Sequence, residues 1–480
     1  MSSTTIVMEI PRKVFNDPIH GTMELHPLLV KMIDTPQFQR LRYIKQLGGV
    51  YFVYPGASHN RFEHCIGVAH LAGELAKALK TRQPELNIDD RDVLCVQIAG
   101  LCHDLGHGPF SHSFETFIRK ARPEINWKHE VASVRLFDYM VESNKLKEEM
   151  ELYGLQLPDD VEFIKELITG EARVFTLEGR PDKPFLYEIV ANKRNGIDVD
   201  KFDYLARDAY HLGIKSSFDH RRFINFARVC EVDGRNQICM RDKEVNNMYD
   251  LFHLRYSLHS RAYQHKVNNI IEIMITEAFL KADKHIQIEG SGGQMFTLST
   301  AIDDMKAYTK LTDHVYETIL NSSQPELADA RRILRKIVNR NHYRFLVETR
   351  PTTSIEVRST VVRGWEQELA EARDGQDDDQ DFRLTAEDFK VDIVKMDYGM
   401  KNENPIDQVR FYRKDHLSNV CCFHSCQRSM SQPQCFSEQL IRIYCKRTDE
   451  SSVNAARRHA VKWCRAKGWP ILNNPQGNPQ

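Results

Sequence analysis

Three stretches of the chain are rich in apolar residues arranged as in packed helices, and they span residues 93–102, 195–208 and 249–283. The first suits a buried helix that Asp89 or Asp90 can cap at its start. The second is charged throughout, yet its apolar residues recur at helical spacing, and in the third they return every three to four positions. The pattern predicts a mainly α-helical fold.

The chain divides into a large first part and a smaller second part. We expect a helical catalytic domain over residues 13–350 and an α+β lobe over residues 351–472. The acidic segment 365–381 predicts an exposed loop within that lobe. Residues 1–12 and 473–480 are expected to be disordered ends.

Composition narrows the class of protein without selecting one. Lys and Arg total 66 against 67 Asp and Glu, so any attraction for a charged partner must come from local patches. Hydrophobic residues make up 41% of the chain, but no long uncharged apolar run predicts a membrane span or a secretory signal. Eleven cysteines in such a chain predict reduced thiols rather than a disulfide framework. We therefore expect an intracellular protein.

The candidate chemistry lies at the end of the first predicted helix, where residues 103–112 hold three imidazoles and a carboxylate. The pair His103-Asp104 proves little by itself, because roughly one such pair would occur by chance in a chain this long and this rich in histidine. Adjacent side chains on a helix point about 100° apart, so these two can share an ion only in a notch closed by other helices. The string indicates a metal-assisted hydrolytic site that needs further ligands.

Two other segments offer those ligands. His64 follows Arg61 by three residues, which places both on one helical face, and a further carboxylate lies in the charged helical stretch. The hypothesis is one metal site made of His64, His103, Asp104 and Asp200. Two imidazoles and two carboxylates suit Zn, Fe or Mn better than a soft thiolate metal. The competing interpretation, capping and ion-pair residues around a helical core, would bury several charges at high cost.

Four further motifs extend this pattern: Asn16-Asp17-Pro-Ile-His20-Gly21, Phe38-Gln39-Arg40-Leu-Arg42, Pro55-Gly-Ala-Ser-His59-Asn-Arg61-Phe-Glu-His64 and Arg194-Asn-Gly-Ile-Asp-Val-Asp200. With the His103-Asp104 string they resemble the HD-domain deoxynucleoside triphosphate triphosphohydrolases, over residues 13–412 and again from 436. The resemblance implies a helical core of the HD superfamily that cleaves a dNTP at its α-phosphorus to a deoxynucleoside and inorganic triphosphate. With only residues 1–12 before it, we expect no sterile alpha motif of the kind that relatives carry.

The resemblance also implies roles for single residues. The four proposed ligands match the family's metal ligands, and Mg²⁺ is expected to accompany the nucleotide. The proton-transfer group of the family matches His107, His112, Glu115 and His129 in this chain. Glu115 stands where similar relatives have Asp, so the pairing with His129 would involve a side chain one methylene longer.

The substrate positions of the family also have counterparts in this chain. Arg61 matches its contact with the α-phosphate, and the contacts with the outer phosphates match Lys201, Tyr204 and Arg255. The sugar and base end of the site matches Gln46, Leu47, Asp208, Tyr263 and Gln264. Within that group, the resemblance assigns the 3′-hydroxyl to Gln46 and Asp208, and the wall against a 2′-hydroxyl to Leu47 and Tyr263. From the sequence alone, Tyr263 would be read as an aromatic core residue.

A second group of matches implies regulation. The guanine-reading site of the family matches Asp34, Gln39 and Arg42, and its triphosphate would be gathered from two chains by Lys13, Val14, Arg340 and Arg344. A neighbouring dNTP activator site matches Asn16, Arg222, Arg241, Lys243, Asn247, His265 and Lys266. The implication is a homotetramer assembled by GTP or dGTP together with a dNTP. Segment 413–435 departs from the family and lacks the lysine that would complete the activator site.

Two alternatives remain open at this point. The same HD chemistry serves an HD-type phosphodiesterase or nuclease, and only Tyr263 with Gln46 favours dNTPs over that substrate class. A non-enzymatic protein could instead hold single-stranded RNA or DNA on basic surfaces near Arg340 and Arg344. The complete set of proposed ligands argues against the second as the sole function. Resemblance alone leads us to expect the nucleus as the location.

Cys230 and Cys239 flank a strong hairpin signal, Asp233-Gly234-Arg235-Asn236. A two-residue loop at Gly234-Arg235 would place the cysteines directly opposite one another, whereas a loop at Asp233-Gly234 would move Cys239 out of register. In line with redox-sensitive cysteines in similar relatives, the hypothesis here is a reversible disulfide.

Overall fold

The computed structural model describes residues 12–170, 179–353, 355–356, 359–373, 384–422, 433 and 435–473. The ends predicted to be disordered lie outside this range, apart from residue 12 and residue 473, which closes a short strand. None of the helices in the described part of the chain has both the length and the hydropathy that a bilayer span requires.

Helices form most of the structure, so the predicted mainly α-helical class is confirmed. Up to residue 226 they are α1 (Pro27–Ile33), α2 (Pro36–Gln39), α3 (Arg61–Arg82), α4 (Asp90–Cys102), α5 (His112–Ala121), α6 (His129–Ser143), α7 (Leu146–Leu152), α8 (Asp159–Thr169), α9 (Val199–Leu212) and α10 (His220–Phe226). Beyond it they are α11 (Val245–Leu258), α12 (Lys266–Ala282), α13 (Met305–Thr309), α14 (His314–Asn321), α15 (Ala328–Val338), α16 (Ser359–Glu371) and α17 (Glu450–Ala466).

Two small four-stranded sheets and two hairpins complete the fold. The strands are β1 (Lys13–Asp17), β2 (Gly21–Leu25), β3 (Arg228–Val232), β4 (Arg235–Arg241), β5 (Ile288–Glu289), β6 (Met295–Phe296), β7 (Arg344–Thr349), β8 (Phe389–Asp397), β9 (Arg410–Arg413), β10 (His416–Cys422), β11 (Ser437–Cys445) and β12 (Ile471–Asn473). One sheet has the order β10-β9-β4-β3 and the other β12-β7-β11-β8. All pairings are antiparallel except that of β4 with β9, which is parallel.

The centre of the large domain is the packing of α3 against α4. Asp89 caps α4 as expected, accepting a hydrogen bond from the backbone N–H of Asp92 at 2.7 Å. Gly100 lets the two helices approach closely, because a Cβ there would lie 3.2 Å from the Cα of Ala69. This packing fixes where α4 ends, and with it the position of the His103-Asp104 string.

The predicted helical run 249–283 is not continuous. It breaks into α11 and α12, which are separated by a π-helical turn over His259–Tyr263. The side chain of His265 caps α12 by accepting a hydrogen bond from the N–H of Val267 at 3.2 Å. Apolar spacing continues through the break, which is why the sequence pattern did not reveal it. The interruption lies at Tyr263, and π-turns of this kind are frequent at functional sites.

The smaller lobe corrects two expectations. Residues 365–371 belong to α16 rather than to an exposed loop, and Trp365 is buried against Trp463 and Trp469, while residues 374–383 lie outside the described part. The boundary predicted at residue 350 is displaced, because β7 precedes it and yet pairs with β11 in the sheet of the lobe. Strand β9 lies beyond the boundary but pairs with β4 of the large domain.

Candidate metal and nucleotide site

Four side chains from three helical segments meet in one notch. His64 lies in α3, His103 and Asp104 follow the end of α4, and Asp200 lies in the first turn of α9. The Nε2 atom of His64 is 3.2 Å from Oδ1 of Asp200 and 3.4 Å from Oδ2 of Asp104. The Nε2 atom of His103 is 3.3 Å from the same oxygen of Asp200 and 3.5 Å from Oδ1 of Asp104. The structure therefore brings all four sequence-predicted ligands together.

The donor set fits a divalent cation. The Nε2 atoms of His64 and His103 are buried without a hydrogen-bond partner, and both point at carboxylate oxygens. Leaving a buried polar atom unpaired costs about 1–3 kcal/mol, so a pair of such atoms at one point indicates a missing partner. Imidazole nitrogens and carboxylate oxygens together suit Zn, Fe or Mn. Asp200 has 30% of its side chain exposed, which leaves one side of the notch open.

A third carboxylate, Asp203, contacts the first histidine on the side away from the notch and orients its ring. It is fully buried, and its Oδ2 lies 2.7 Å from Nδ1 of His64, so Nε2 of that ring is free to face the notch. The same carboxylate contacts Nε2 of His20 at 2.6 Å and accepts two bonds of 2.9 Å from Arg207. From the sequence, Asp203 would be read as a capping or ion-pair residue. The HD pattern contains no signal for its role, because the role depends on which face of α3 it meets.

The predicted proton-transfer residues form a cluster beside the notch. His107 and His129 stack at 4.0 Å between ring centroids, and the ring of His112 lies 5.2 Å and 5.8 Å from theirs. Glu115 lies 2.7 Å from Nδ1 of His129 and 3.5 Å from Nδ1 of His112. The longer glutamate therefore does reach His129. His112 has 69% of its side chain exposed and is free to meet a ligand.

The surroundings shift the pKa values of His107 and His129 in opposite directions. Burial and the positive charges of Arg61 and His129 hold the pKa of His107 well below its usual range. Burial also lowers the pKa of His129, but its hydrogen bond with Glu115 and the charges of Asp104, Glu130 and Glu115 together outweigh burial and raise that pKa above the ordinary value. Burial alone would raise the pKa of Glu115, yet the bonds from His112 and His129 hold it well below the usual range. The pKa of His107 is thus lowered, while that of the His129 ring stacked on it is raised.

The loop that connects these histidines adopts an unusual backbone. Phe110 and Ser111 have φ angles of 58° and 54°, which non-glycine residues seldom adopt. The turn is held by Asp313, whose carboxylate accepts the N–H groups of Phe110 at 2.6 Å and of Lys45 at 2.8 Å. The hydroxyl of Ser111 accepts a bond of 3.1 Å from Arg61. The sequence gives no indication of this turn, which aims His112 at the pocket.

A cavity of about 630 Å³ begins at the notch and is lined by all the predicted substrate residues. Near the notch Arg61 pairs with Asp104, and Lys201 lies 3.3 Å from Asp198. Burial lowers the pKa of Lys201, but Asp198, Tyr204 and Asp200 together outweigh burial and raise that pKa above its ordinary value. Arg255 donates a bond of 2.5 Å to the carbonyl of residue 397 in β8. Together with Tyr204, these cations form an anion-binding wall.

The other end of the cavity is polar and contains the carboxylate of Asp208. Tyr263 donates a hydrogen bond of 2.5 Å to Oδ2 of Asp208, whose Oδ1 lies 2.6 Å from Nε2 of His59. Gln46 has a buried Oε1 atom without a partner, which is available to a donor on a ligand. Leu47 and Gln264 close this end. Tyr263 is therefore a pocket residue rather than only a core aromatic, and His59 is a support that sequence reasoning treated as unremarkable.

The predicted effector residues lie apart from this cavity. Among the guanine-site set, Lys13, Val14, Asp34, Arg42, Arg340 and Arg344 are exposed, and Gln39 is half-buried. In the activator set, Asn16, Arg222 and Lys243 are exposed, and Arg241, Asn247, His265 and Lys266 are half-buried. Arg222 already pairs with the buried Glu244. Both sets therefore consist of exposed or half-buried side chains outside the cavity.

The two cysteines do not face each other directly. The hairpin loop is Asp233-Gly234, with φ angles of 51° and 75°, so Cys230 pairs with Gln237 and Cys239 with Arg228. The register with the cysteines opposite one another is therefore wrong. Both thiols nevertheless share one small cluster, and a hydrogen bond from Cys239 lowers the pKa of Cys230.

A helical core whose histidine and aspartate side chains converge on a notch beside an anion-binding wall defines a metal-dependent HD-type hydrolase. The family model "HD domain" matches residues 61–208. The chain is 59% identical over 463 residues to the zebrafish protein named deoxynucleoside triphosphate triphosphohydrolase SAMHD1, covering 95% of this chain and 74% of that one. It is 58% identical to the human protein of that name, with 94% and 73% covered, and 39% identical to the Dictyostelium homologue, with 94% and 80% covered. The chain belongs to the SAMHD1 family of deoxynucleoside triphosphate triphosphohydrolases.

Proposed function

We propose that this protein hydrolyses deoxynucleoside triphosphates to deoxynucleosides and inorganic triphosphate. The observation that carries the proposal is the single cavity that joins the His64-His103 notch, the wall of cations and the Tyr263–Asp208 pair. A phosphodiester substrate would not need three cations beyond the notch, whereas a triphosphate carries up to four negative charges that do. The relatives named for this activity support the same substrate class.

The reaction requires attack on the α-phosphorus and a proton for the departing 5′-oxygen. When bound at the notch, a divalent ion of the Zn, Fe or Mn type would supply Lewis acidity beside the α-phosphate. Arg61 is placed to hold an α-phosphate oxygen, while Lys201 and Arg255 hold the outer phosphates, accompanied by Mg²⁺. The group of His112, Glu115 and His129 is suited to deliver the proton, because the bond with Glu115 raises the pKa of His129 and so favours its protonated form.

Sugar selection follows from the far end of the cavity. Gln46 offers an unpartnered acceptor, and Asp208 is oriented by two neighbours, so a 3′-hydroxyl would donate its single proton to one of these two side chains. Tyr263 is held by its bond to Asp208, and with Leu47 it narrows the space where a 2′-hydroxyl would project. A wall discriminates only if it cannot relax, and the bond between Tyr263 and Asp208 provides such restraint.

The proposal extends to regulation by nucleotides. The exposed effector residues would bind GTP or dGTP and a dNTP between chains, and the bound nucleotides would favour a homotetramer. Single-stranded RNA or DNA on the same basic surface is the competing use of Arg340 and Arg344. The divergent segment 413–435 includes β10. This strand belongs to the same four-stranded sheet as β4, which ends at Arg241 of the activator set.

The experiment incubates purified protein with dATP, with and without GTP or dGTP, and follows products by chromatography and mass by light scattering. We expect deoxyadenosine and triphosphate in equal amounts, a rate that rises with the effector, and a parallel increase in mass. The variant Asp200→Ala should lose both activity and bound metal, whereas Asp329→Ala, an exposed carboxylate on α15, should keep both. Release of diphosphate, or hydrolysis of RNA but not of dATP, would overturn the proposal.

A further inference from the structure

Two polar side chains on α12 line the cavity without belonging to the metal, phosphate or sugar-binding groups. Asn268 and Glu272 are one helical turn apart, so both project from the same face of α12. Both line the cavity together with Leu47 and Tyr263, the two residues assigned to the wall against a 2′-hydroxyl. Asn268 is 1% exposed, so losing one of its hydrogen bonds would leave a polar atom buried and unpaired.

The amide of Asn268 is fixed in one orientation. Its Nδ2 donates a hydrogen bond of 2.8 Å to the backbone carbonyl of Tyr263, and only the nitrogen of the amide can do so. The Oδ1 atom must therefore point the other way, and it is buried without a hydrogen-bond partner. Asn268 thus anchors the segment between α11 and α12 that carries Tyr263.

Glu272 makes the corresponding contact with the opposite wall. Its carboxyl group accepts a hydrogen bond from the backbone N–H of Gly49, two residues after Leu47. The approach is so close that a Cβ on Gly49 would lie 2.8 Å from Cγ of Glu272 and 2.9 Å from Oδ1 of Asn268. Gly48 has a φ of 49°, and a Cβ there would lie 2.7 Å from the carbonyl oxygen of Phe110. The glycine pair lets the loop of Leu47 rest directly on the two side chains.

The two side chains can also bond to each other. Burial raises the pKa of Glu272 to about 7, a shift that the bonds from Asn268 and Gly49 only partly offset and that Asp392 reinforces. Glu272 is therefore more easily protonated than a free glutamate, and a proton on its carboxyl group would satisfy the unpartnered Oδ1 of Asn268. With that proton in place, a path of hydrogen bonds would run from the backbone of Gly49 through Glu272 and Asn268 to the carbonyl of Tyr263.

We propose that Asn268 and Glu272 are positioning residues that fix the spacing between Leu47 and Tyr263 and thereby set the selectivity for a 2′-deoxy sugar. The inference rests on the proposed function, because it concerns the same nucleotide pocket. Neither residue touches the reacting atoms. They act by connecting two walls of the pocket that belong to different parts of the chain. The bond from Tyr263 to Asp208 fixes the tip of that side chain, and the bond from Asn268 fixes its backbone.

The purely structural interpretation is that Asn268 and Glu272 only provide hydrogen bonds to buried polar groups beside α12, with no effect on the shape of the pocket. It predicts that loss of either side chain lowers stability and slows all substrates alike. Positioning of the wall predicts instead a change in the ratio between deoxy and ribo substrates. A ratio measured on two substrates in one mixture is independent of enzyme concentration, of effector occupancy and of any fraction of unfolded protein.

The test is a competition between equimolar dCTP and CTP, with GTP and dATP present at fixed concentrations, in which deoxycytidine and cytidine are separated by chromatography. Glu272→Ala and Asn268→Ala each break the path, and we expect the deoxycytidine-to-cytidine ratio to fall by roughly tenfold or more, the discrimination that one small steric group supplies. Glu272→Gln preserves the hydrogen-bond path, because the glutamine amide can accept a bond from Gly49 and donate one to Asn268. That variant should stay within about twofold of the parent ratio.

Two further variants complete the design. Glu277→Ala removes a carboxylate of the same helix that bonds to Tyr343 outside the cavity, and it should leave the ratio unchanged. Asn268→Asp keeps the size of the side chain but cannot donate to Tyr263, so it replaces Asn268→Ala if that variant does not fold. A ratio that is unchanged in every path-breaking variant, with only the total rate lowered, overturns the inference. A parent protein that releases no deoxycytidine overturns the proposed function instead.

Discussion

Asp203 lies 2.7 Å from Nδ1 of His64, on the side of the imidazole that faces away from the pocket. The contact selects the tautomer in which Nε2 of His64 is free to bind a cation. The same carboxylate also binds Arg207, so one buried side chain joins the metal notch to the ion pair of Arg207 with Asp17. The support of the site and the stability of the core are therefore linked at this residue.

Replacing Asp203 should weaken metal binding even though the residue is not a ligand. In Asp203→Asn we expect metal affinity to fall about 10–100-fold, the usual effect of losing such an outer partner. The measurement is bound metal, by elemental analysis, after dialysis against graded chelator. The exposed variant Asp329→Asn serves as the control. Retention of metal equal to that of the parent protein would show that the orientation of His64 does not depend on Asp203.

Gly67 should not tolerate a methyl group. A Cβ there would lie 1.9 Å from Oδ1 of Asp203 and 2.7 Å from Nη2 of Arg207, and both atoms belong to a buried ion pair that cannot move away freely. We expect Gly67→Ala to lower the free energy of unfolding by about 1–3 kcal/mol. The matched control is Gly364→Ala, where nothing lies within 4 Å, and that change should stabilise by about 0.5–1 kcal/mol. Urea unfolding of the two variants compares them, and equal midpoints would contradict the expectation.

Glu115→Gln should slow turnover and change its dependence on pH. The parent carboxylate raises the pKa of His129, so the protonated imidazole persists to higher pH than in a free histidine. Without the charge that pKa falls, and the protonated form is lost at lower pH. We expect kcat to drop by about 10²–10⁴-fold and the alkaline limb of the pH profile to move to lower pH. Glu115→Asp provides the control for charge without length, and an unmoved alkaline limb in Glu115→Gln would exclude His129 as the proton donor.

Glu272→Gln should remove a pH dependence of stability. The folded pKa of about 7 exceeds the ordinary value of 4.5, so the protonated form is favoured by folding. Its contribution is fully present below pH 4.5 and is lost as pH rises through 7. Relative to Glu272→Gln, the parent protein should therefore lose stability between pH 5 and pH 8. Melting temperatures over that range decide the matter, with Glu277→Gln as the control, and parallel curves for all three proteins would count against a raised pKa.

The sequence predicted the side chains that form the site better than the side chains that orient them. His103 and Asp104 follow a helix that its own cap and apolar run define, so local rules placed them at a helix end. Their meeting with Asp200 was inferred from the cost of leaving such groups buried and unpaired, and through the resemblance. Asp203 could not be assigned in this way, since its role depends on the packing of α9 against α3.

Local sequence patterns failed to predict the register of the β3–β4 hairpin and the interruption between α11 and α12. The hairpin signal was correct, but only the backbone chose the Asp233-Gly234 loop and so moved Cys239 opposite Arg228. Apolar spacing predicted one helix across 249–283, because a π-turn leaves that spacing nearly intact. Trp365 was assigned to an acidic loop on composition, yet it lies in α16, buried against Trp463 and Trp469.

The sequence by itself determined the helical class, the cap of α4 and the set of imidazoles and carboxylates that chemistry requires to converge, because these follow from periodicity, local hydrogen bonding and the cost of buried charge. Only the tertiary structure decided which side chains stand behind that set. Asp203 behind His64, and Asn268 with Glu272 between Leu47 and Tyr263, act across contacts between segments distant in sequence. Such contacts depend on how helices pack and where a glycine pair lets a loop approach, and no local pattern records either.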